Sequence, residues 1–109
     1  MVCVLVHFPL PDDGGPQVVL DAFLAAVPRF QARDGLLHKY FLADLDRRQG
    51  ASVYLWQDRQ AAVDFHNAAW RAHIQQKYGA PPVIEMLDCV LEIDNQAGQV
   101  VEHPWSEQP

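Results

Sequence analysis

Apolar and polar positions along the chain change period several times, and each change marks an element. In residues 2–9, Val2, Val4, Val6 and Phe8 alternate with Cys3, Leu5 and His7, a period of two that predicts a strand apolar on both faces apart from one histidine. Pro9, Pro11, Gly14, Gly15 and Pro16 then form a turn segment that no regular element crosses. From Gln17 the period lengthens. Val19, Phe23, Ala26, Val27 and Phe30 share one helical stripe, and Pro28 is expected to kink the helix or to open a fresh short one. Asp34 and Gly35 close that region, residues 36–43 read as a second strand, and 44–49 read as a polar hairpin loop.

The stretch 50–79 organises the rest. Val53, Tyr54 and Trp56 predict a buried third strand over 50–56, with Ala51, Val53 and Leu55 on one face and Ser52, Tyr54 and Trp56 on the other. Asp58 is a helix N-cap, and Ala62, Phe65 and Ala69 follow as an apolar stripe. Trp70, Ile74 and Tyr78 form a second stripe about a third of a turn away, which predicts a break near His66, Asn67 and Ala68. Gly79 supplies the stop, and Pro81 and Pro82 prevent continuation. Residues 82–94 read as one long fourth strand. Val83, Glu85, Leu87, Cys89, Leu91 and Ile93 share one face, with Asp88 on the other, at the rim or paired with Lys39 or His38. Residues 1–98 read as a single domain and 99–109 as a polar tail without periodicity, despite Val100, Val101 and Trp105.

The order is β-α-β-β-α-β, so the expected class is α+β: a ferredoxin-like fold with a four-stranded antiparallel sheet. Two helical regions cover one face of such a sheet, and the other is too apolar to stay open. A homodimer packed sheet to sheet, a dimeric α+β barrel, is the expected solution. The charge balance narrows the partners. With 8 basic against 14 acidic residues and a net charge of −6 over 109 residues, nucleic acid is a poor partner. The first residues carry no basic leader and only a short apolar run, which argues against a signal peptide and a membrane span and for a cytoplasmic protein. Cys3 and Cys89 are then expected to be reduced core thiols, without the spacing of a zinc site.

Within that frame, GLLHKYFLAD (35–44), GASVYLWQDRQAAVDF (50–65), WRAHIQQKYGAPPVIEMLD (70–88) and IDNQAG (93–98) resemble the YdhR-like mono-oxygenases of the dimeric α+β barrel superfamily. That family's pattern has Arg-Lys-Tyr-Tyr in the second strand and two glycines opening the third. This chain has His38, Lys39, Tyr40 and Phe41, then Gly50 and Ala51. The resemblance implies chemistry without flavin, haem or metal, in which an electron-rich phenol or quinol loses a proton and its anion reacts with oxygen. Such a site needs a dry pocket, aromatic walls, a base and donors for the developing oxyanion.

No Rossmann, P-loop, GxSxG or HExxH pattern offers another chemistry. The residue types that fit are Tyr54, Trp56, Phe65, His66 and Trp70 as substrate-binding walls, and His38, Tyr40 and His7 as catalytic groups, a histidine serving as base. Each has a plainer role: Tyr54 and Trp56 as dimer core, His7 and His38 as hydrogen-bonded core or rim side chains, Trp70 as packing. His73 reads as a rim residue, and at seven residues from His66, about 10 Å on a helix, it is too far to share a metal. The expected function is cofactor-independent mono-oxygenation of a small aromatic or quinol-like molecule. The alternative is a non-catalytic dimeric module that binds a small hydrophobic ligand. Isomerase or lyase chemistry would use the same base, and haem degradation would need a ligand that no one histidine stands out to supply.

Overall fold

The alternation in residues 2–9 does form a strand, β1 (Val2–Pro9), and Val2, Val4, Val6 and Phe8 are its buried side. The structure, a computed structural model, describes residues 1–106. After β1 come α1 (Pro16–Phe30), β2 (Leu36–Asp44), β3 (Gln49–Trp56), α2 (Arg59–Phe65), α3 (Ala68–Tyr78), β4 (Val83–Asp88), β5 (Leu91–Asp94) and β6 (Gln99–Glu102). The first four strands make one antiparallel sheet in the order β2-β3-β1-β4, the ferredoxin-like α+β arrangement. No helix among the described residues is long and apolar enough to cross a membrane.

Local chemistry sets the helix ends. The Asp58 carboxylate accepts the Ala61 N–H at 2.8 Å and opens α2; the Asn67 side chain accepts the Trp70 N–H at 2.9 Å and opens α3. Between them the His66 N–H bonds to the Ala62 carbonyl, so the break falls at His66 and Asn67 and turns the histidine inward. Gly79 ends α3 in the left-handed region at φ 79°. Of the two outcomes expected at Pro28, the fresh short helix does not form, since α1 runs on through Pro28 to Phe30. Pro28 cannot donate to the Leu24 carbonyl, so that one helical bond is lost, but only Arg29 and Phe30 follow it before the helix ends.

The helices cover one face of the sheet. Val19, Ala62, Phe65 and Trp70 pack there against the buried side of β1 and against Tyr54 and Trp56 of β3. Tyr54 and Trp56 are thus core within one chain rather than dimer core. Alternation places them with Ser52 on the helix side. The opposite face is open. His38, Leu55, Cys3 and Leu87 form one cross-strand row, Tyr40, Val53, Leu5 and Glu85 a second, and Leu42, Ala51, His7 and Val83 a third. Cys3 therefore lies on the open face and not in the core, and both cysteines are free and half-buried.

The long fourth strand is two. The Cys89 N–H makes the last bond to the first strand region, to the Met1 carbonyl at 2.9 Å; from Val90 onward the chain pairs with β6 instead. The turn that returns it is built by Asp94, whose carboxylate accepts the N–H groups of Gln96 and Ala97, and by Gly98 at φ 68°. The aperiodic reading of the tail missed β6. The β5–β6 hairpin projects from the body, which brings the radius of gyration to 15.1 Å against about 13 Å for a compact chain of this length. Asp88 pairs with neither Lys39 nor His38. Its carboxylate accepts the Ser106 hydroxyl and lies 3.9 Å from Arg59, and the Ser106 hydrogen bond chiefly holds it below the usual carboxylate range.

Gly50 is set by close approach, since a Cβ there would overlap the edge of the Phe8 ring. Phe8 is itself stacked on Tyr78 at 4.2 Å. Gly50→Ala is expected to destabilise the chain by about 1–3 kcal/mol through overpacking, read as a lower urea midpoint at unchanged slope.

Candidate functional site

Alternation along β2 sends Lys39 and Phe41 to the helix side and His38, Tyr40 and Leu42 to the open side. Lys39 lies opposite Tyr54 in register, and its ammonium donates to the Tyr54 hydroxyl at 3.0 Å. Its Nζ also stands 3.5 Å from the centroid of Phe30, 4.1 Å from Phe41 and 4.4 Å from Tyr54. These groups line a cavity between α1, α3 and the sheet, with Phe8, Phe23, Trp70 and Tyr78 as further aromatic wall. Its free volume is about 30 Å³, room for about one water. A neighbouring cavity of about 120 Å³ shares Phe23, Lys77 and Tyr78 with it.

Burial drives the Lys39 pKa down to about 7, and the charges of Lys77 and Arg29 add to the effect. Near neutral pH a substantial share of Lys39 is therefore free amine. Burial pushes the Tyr54 hydroxyl above its ordinary range, with the nearby Tyr78 as a second cause, so Tyr54 stays protonated. The pair can exchange roles: the ammonium donates to the hydroxyl, and the neutral amine accepts from it.

The mouth of the cavity is basic. Arg29 in the last turn of α1 donates to His73 Nε2 at 3.2 Å, across to α3. Because arginine only donates, His73 accepts at Nε2 and carries its proton on Nδ1. Lys77, one turn beyond His73, has its pKa lowered by burial and then by Arg29. Among the described residues no carboxylate lines this cavity.

A second aromatic cluster lies alongside. The Trp56 indole N–H donates to His66 Nε2 at 3.1 Å, so the imidazole proton is on Nδ1, where it has no hydrogen-bond partner. Its neighbours there are rings: Trp70 at 4.5 Å, Tyr54 at 4.6 Å and Phe65 at 4.9 Å, all edge to face. Burial, then the charges of Lys39 and Arg71, hold its pKa down at about 3, so His66 is neutral at ordinary pH.

The residues singled out from sequence divide by face. His7, His38 and Tyr40 are on the open side, with the His38 and Tyr40 rings 6.3 Å apart. Tyr54, Trp56, Phe65, His66 and Trp70 are under the helices. Among the described residues the sheet stands between Tyr40, His7 and His38 on one side and those walls on the other. Tyr54 and Trp70 line the cavity; Trp56 and Phe65 border a shallow cleft with Arg33, Asp58 and Asp64; His66 lines neither. His73 is at the mouth, as a rim residue should be. Sequence reasoning missed Lys39, Arg29 and Lys77. For Lys39 the signal was available in its shared parity with Phe41.

No family model matches the sequence, and no curated protein matches it. Solved structures do match. One is a variant of SnoaB, a cofactor-independent oxygenase from Streptomyces nogalater, at 14% identity over 81% of this chain and 91% of that one, with a TM-score of 0.57. A second is the ActVA-Orf6 monooxygenase of Streptomyces coelicolor, in complex with nanaomycin D, at 18% identity over 79% and 84%, with a TM-score of 0.56. A third is an antibiotic biosynthesis monooxygenase, at 20% identity over 83% and 99%, with a TM-score of 0.59. The chain shares the fold of these monooxygenases.

The folded Lys39 pKa lies below the ordinary value of 10.5, so between the two the unfolded chain binds more protons and stability rises with pH. Relative to Lys39→Met, the native chain is expected to gain stability as pH rises from about 7 towards 10, and to show a constant difference below 7. A ¹³C-lysine titration checks the cause, with one amine titrating near neutrality that is absent from Lys39→Met.

Proposed function

We propose that the chain is a cofactor-independent mono-oxygenase acting on a small aromatic or quinol-like molecule, and that Lys39 is its base. The observation that carries the reading is Lys39 itself, a lysine in an aromatic box, hydrogen-bonded to Tyr54, in a cavity lined by Trp70, Phe30 and Phe41. The shared fold supports it, as does the YdhR-like resemblance, whose pattern this chain keeps at Lys39 and Tyr40. A single ring needs more room than this cavity has, and the reading therefore requires Phe23 or Tyr78, which line both this cavity and the neighbouring one of about 120 Å³, to move aside on binding.

In this reading the phenol O–H gives its proton to the Lys39 amine. The phenolate passes one electron to oxygen, and the resulting pair joins at a ring carbon to form a peroxide anion. The Lys39 ammonium returns the proton to the peroxide. Loss of the ring C–H proton with O–O cleavage leaves a quinone and water, so phenol and oxygen balance against quinone and water without an external reductant. Tyr54, held protonated, donates to whichever oxygen carries the charge.

The open face supports a homodimer. Tyr40, Leu42, Val83 and Leu87 are between 45% and 62% exposed there, in rows with Leu5, Val53 and Leu55, and a second copy laid on that face would cover them. Leu5→Lys at the centre of the face is expected to give a folded monomer in sedimentation, where the native chain sediments as a dimer. A native monomer would remove the dimer.

Oxygen uptake with a panel of hydroquinones, naphthols and anthrones, without added flavin or metal, tests the chemistry. Lys39→Met is expected to lower kcat at least about 100-fold, and His38→Gln and Tyr40→Phe to retain turnover. The reverse pattern would move the site to the open face. Binding without uptake would favour the non-catalytic module, which the small free volume also fits.

A further inference from the structure

We propose that Arg29, His73 and Lys77 form an anion clamp at the mouth of the cavity, and that the molecule this site takes is an aromatic acid with its ring inside and its carboxylate on the clamp. The inference rests on reading the cavity as the substrate site and adds the substrate's charge.

The chain carries 14 acidic and 8 basic side chains, yet among the described residues three of the cations and none of the acids line this one cavity. Other basic side chains have neutral or acidic company elsewhere. Arg59 approaches Asp88, Arg47 approaches Asp44, Arg48 donates to the Gly14 carbonyl, and Arg33 lies over Phe65. Among the described residues neither Arg29, Lys39 nor Lys77 has a carboxylate within ion-pair distance. Like charges gathered in a partly dry site repel one another, and an acidic chain has ample carboxylates with which to neutralise them. An anion from outside removes the repulsion.

The geometry suits a carboxylate. Arg29 comes from the end of α1, and His73 and Lys77 stand one turn apart on α3, so the three cross the seam between the helices. With His73 accepting from Arg29 at Nε2, its Nδ1–H is the donor left for a ligand. The guanidinium edge and the Lys77 ammonium supply charge-assisted donors. Lys77 also borders the neighbouring cavity with Phe23 and Tyr78, where Asp13 is the single acid among the described residues of the lining, so the space that a ring would enter has one cation and one carboxylate at its wall while the clamp itself has cations alone.

Calorimetry with 4-hydroxybenzoate and its methyl ester tests the clamp, because the two share a ring and differ in charge. The acid is expected to bind at least about tenfold more tightly. Arg29→Gln and Lys77→Gln, each verified as folded by circular dichroism, are each expected to weaken the acid about tenfold and to leave the ester within about twofold. Equal binding of acid and ester, unchanged acid affinity in both variants, or binding of neither probe overturns the clamp. The mono-oxygenase reading fails separately. A clamp that discriminates without oxygen uptake stands while that reading falls, and uptake on neutral quinols with no preference for acids has the opposite meaning.

Discussion

A four-stranded sheet with apolar side chains on both faces can be covered by its own helices only once. Everything else in this chain follows from which residues alternation puts on the covered side. Val2, Val4, Val6, Phe8, Tyr54 and Trp56 go under α1, α2 and α3 and form the core. The other parity carries Leu5, Val53, Leu55 and Leu87, with His7, His38 and Tyr40 among them, and stays open. A shift of one residue in β2 would exchange Lys39 and Phe41 for His38 and Tyr40 and relocate the chemistry to the other face.

Lys39 is a covered residue that works against the core. An amine among Phe30, Phe41 and Tyr54 loses hydration, and two further cations stand nearby. The ring faces and the Tyr54 hydroxyl return part of that loss, but an apolar residue of similar length would fill the same space without it. A side chain kept at such a position is a candidate for chemistry on physical grounds alone. His66 makes the contrast. It is as deeply placed and as strongly shifted, yet its one accessible nitrogen is spent on the Trp56 indole and its other faces rings. It pins the turn between α2 and α3 over the core and has nothing to give a ligand.

What was legible in the sequence was local. Asp58 and Gly79 announce helix ends because their side chain or backbone freedom acts within one turn, and the shift between the Phe65 and Trp70 stripes announces the break at His66. Alternation gave the faces of β1 and β3 outright. Two local signals read differently in the structure: Pro28 opens no fresh helix, and Asp94 to Gly98 forms a hairpin turn where the sequence reads as the end of the domain. The site was less legible because it is assembled across elements. Arg29, Lys39 and Lys77 are separated in sequence by ten and thirty-eight residues, and nothing in any one segment says that they meet. Tyr54 and Trp70 stand out in the sequence for being aromatic, but Phe8, Trp56 and Phe65 of the core are aromatic too, so residue type alone could not separate cavity wall from packing.

The two charges assigned to the cavity act on each other. An empty clamp lowers the proton affinity of Lys39, since Lys77 and Arg29 disfavour a third cation nearby. A carboxylate seated on Arg29, His73 and Lys77 cancels part of that field and raises it. On the proposed reading, the free amine that would receive a phenolic proton is populated before binding, and the protonated product of that transfer would be favoured after it. On that reading ligand binding and proton transfer would be coupled through these charges alone. The coupling also favours acids over neutral rings in the proton transfer itself, since a neutral molecule would fill the same space and leave Lys39 as weak a base as before.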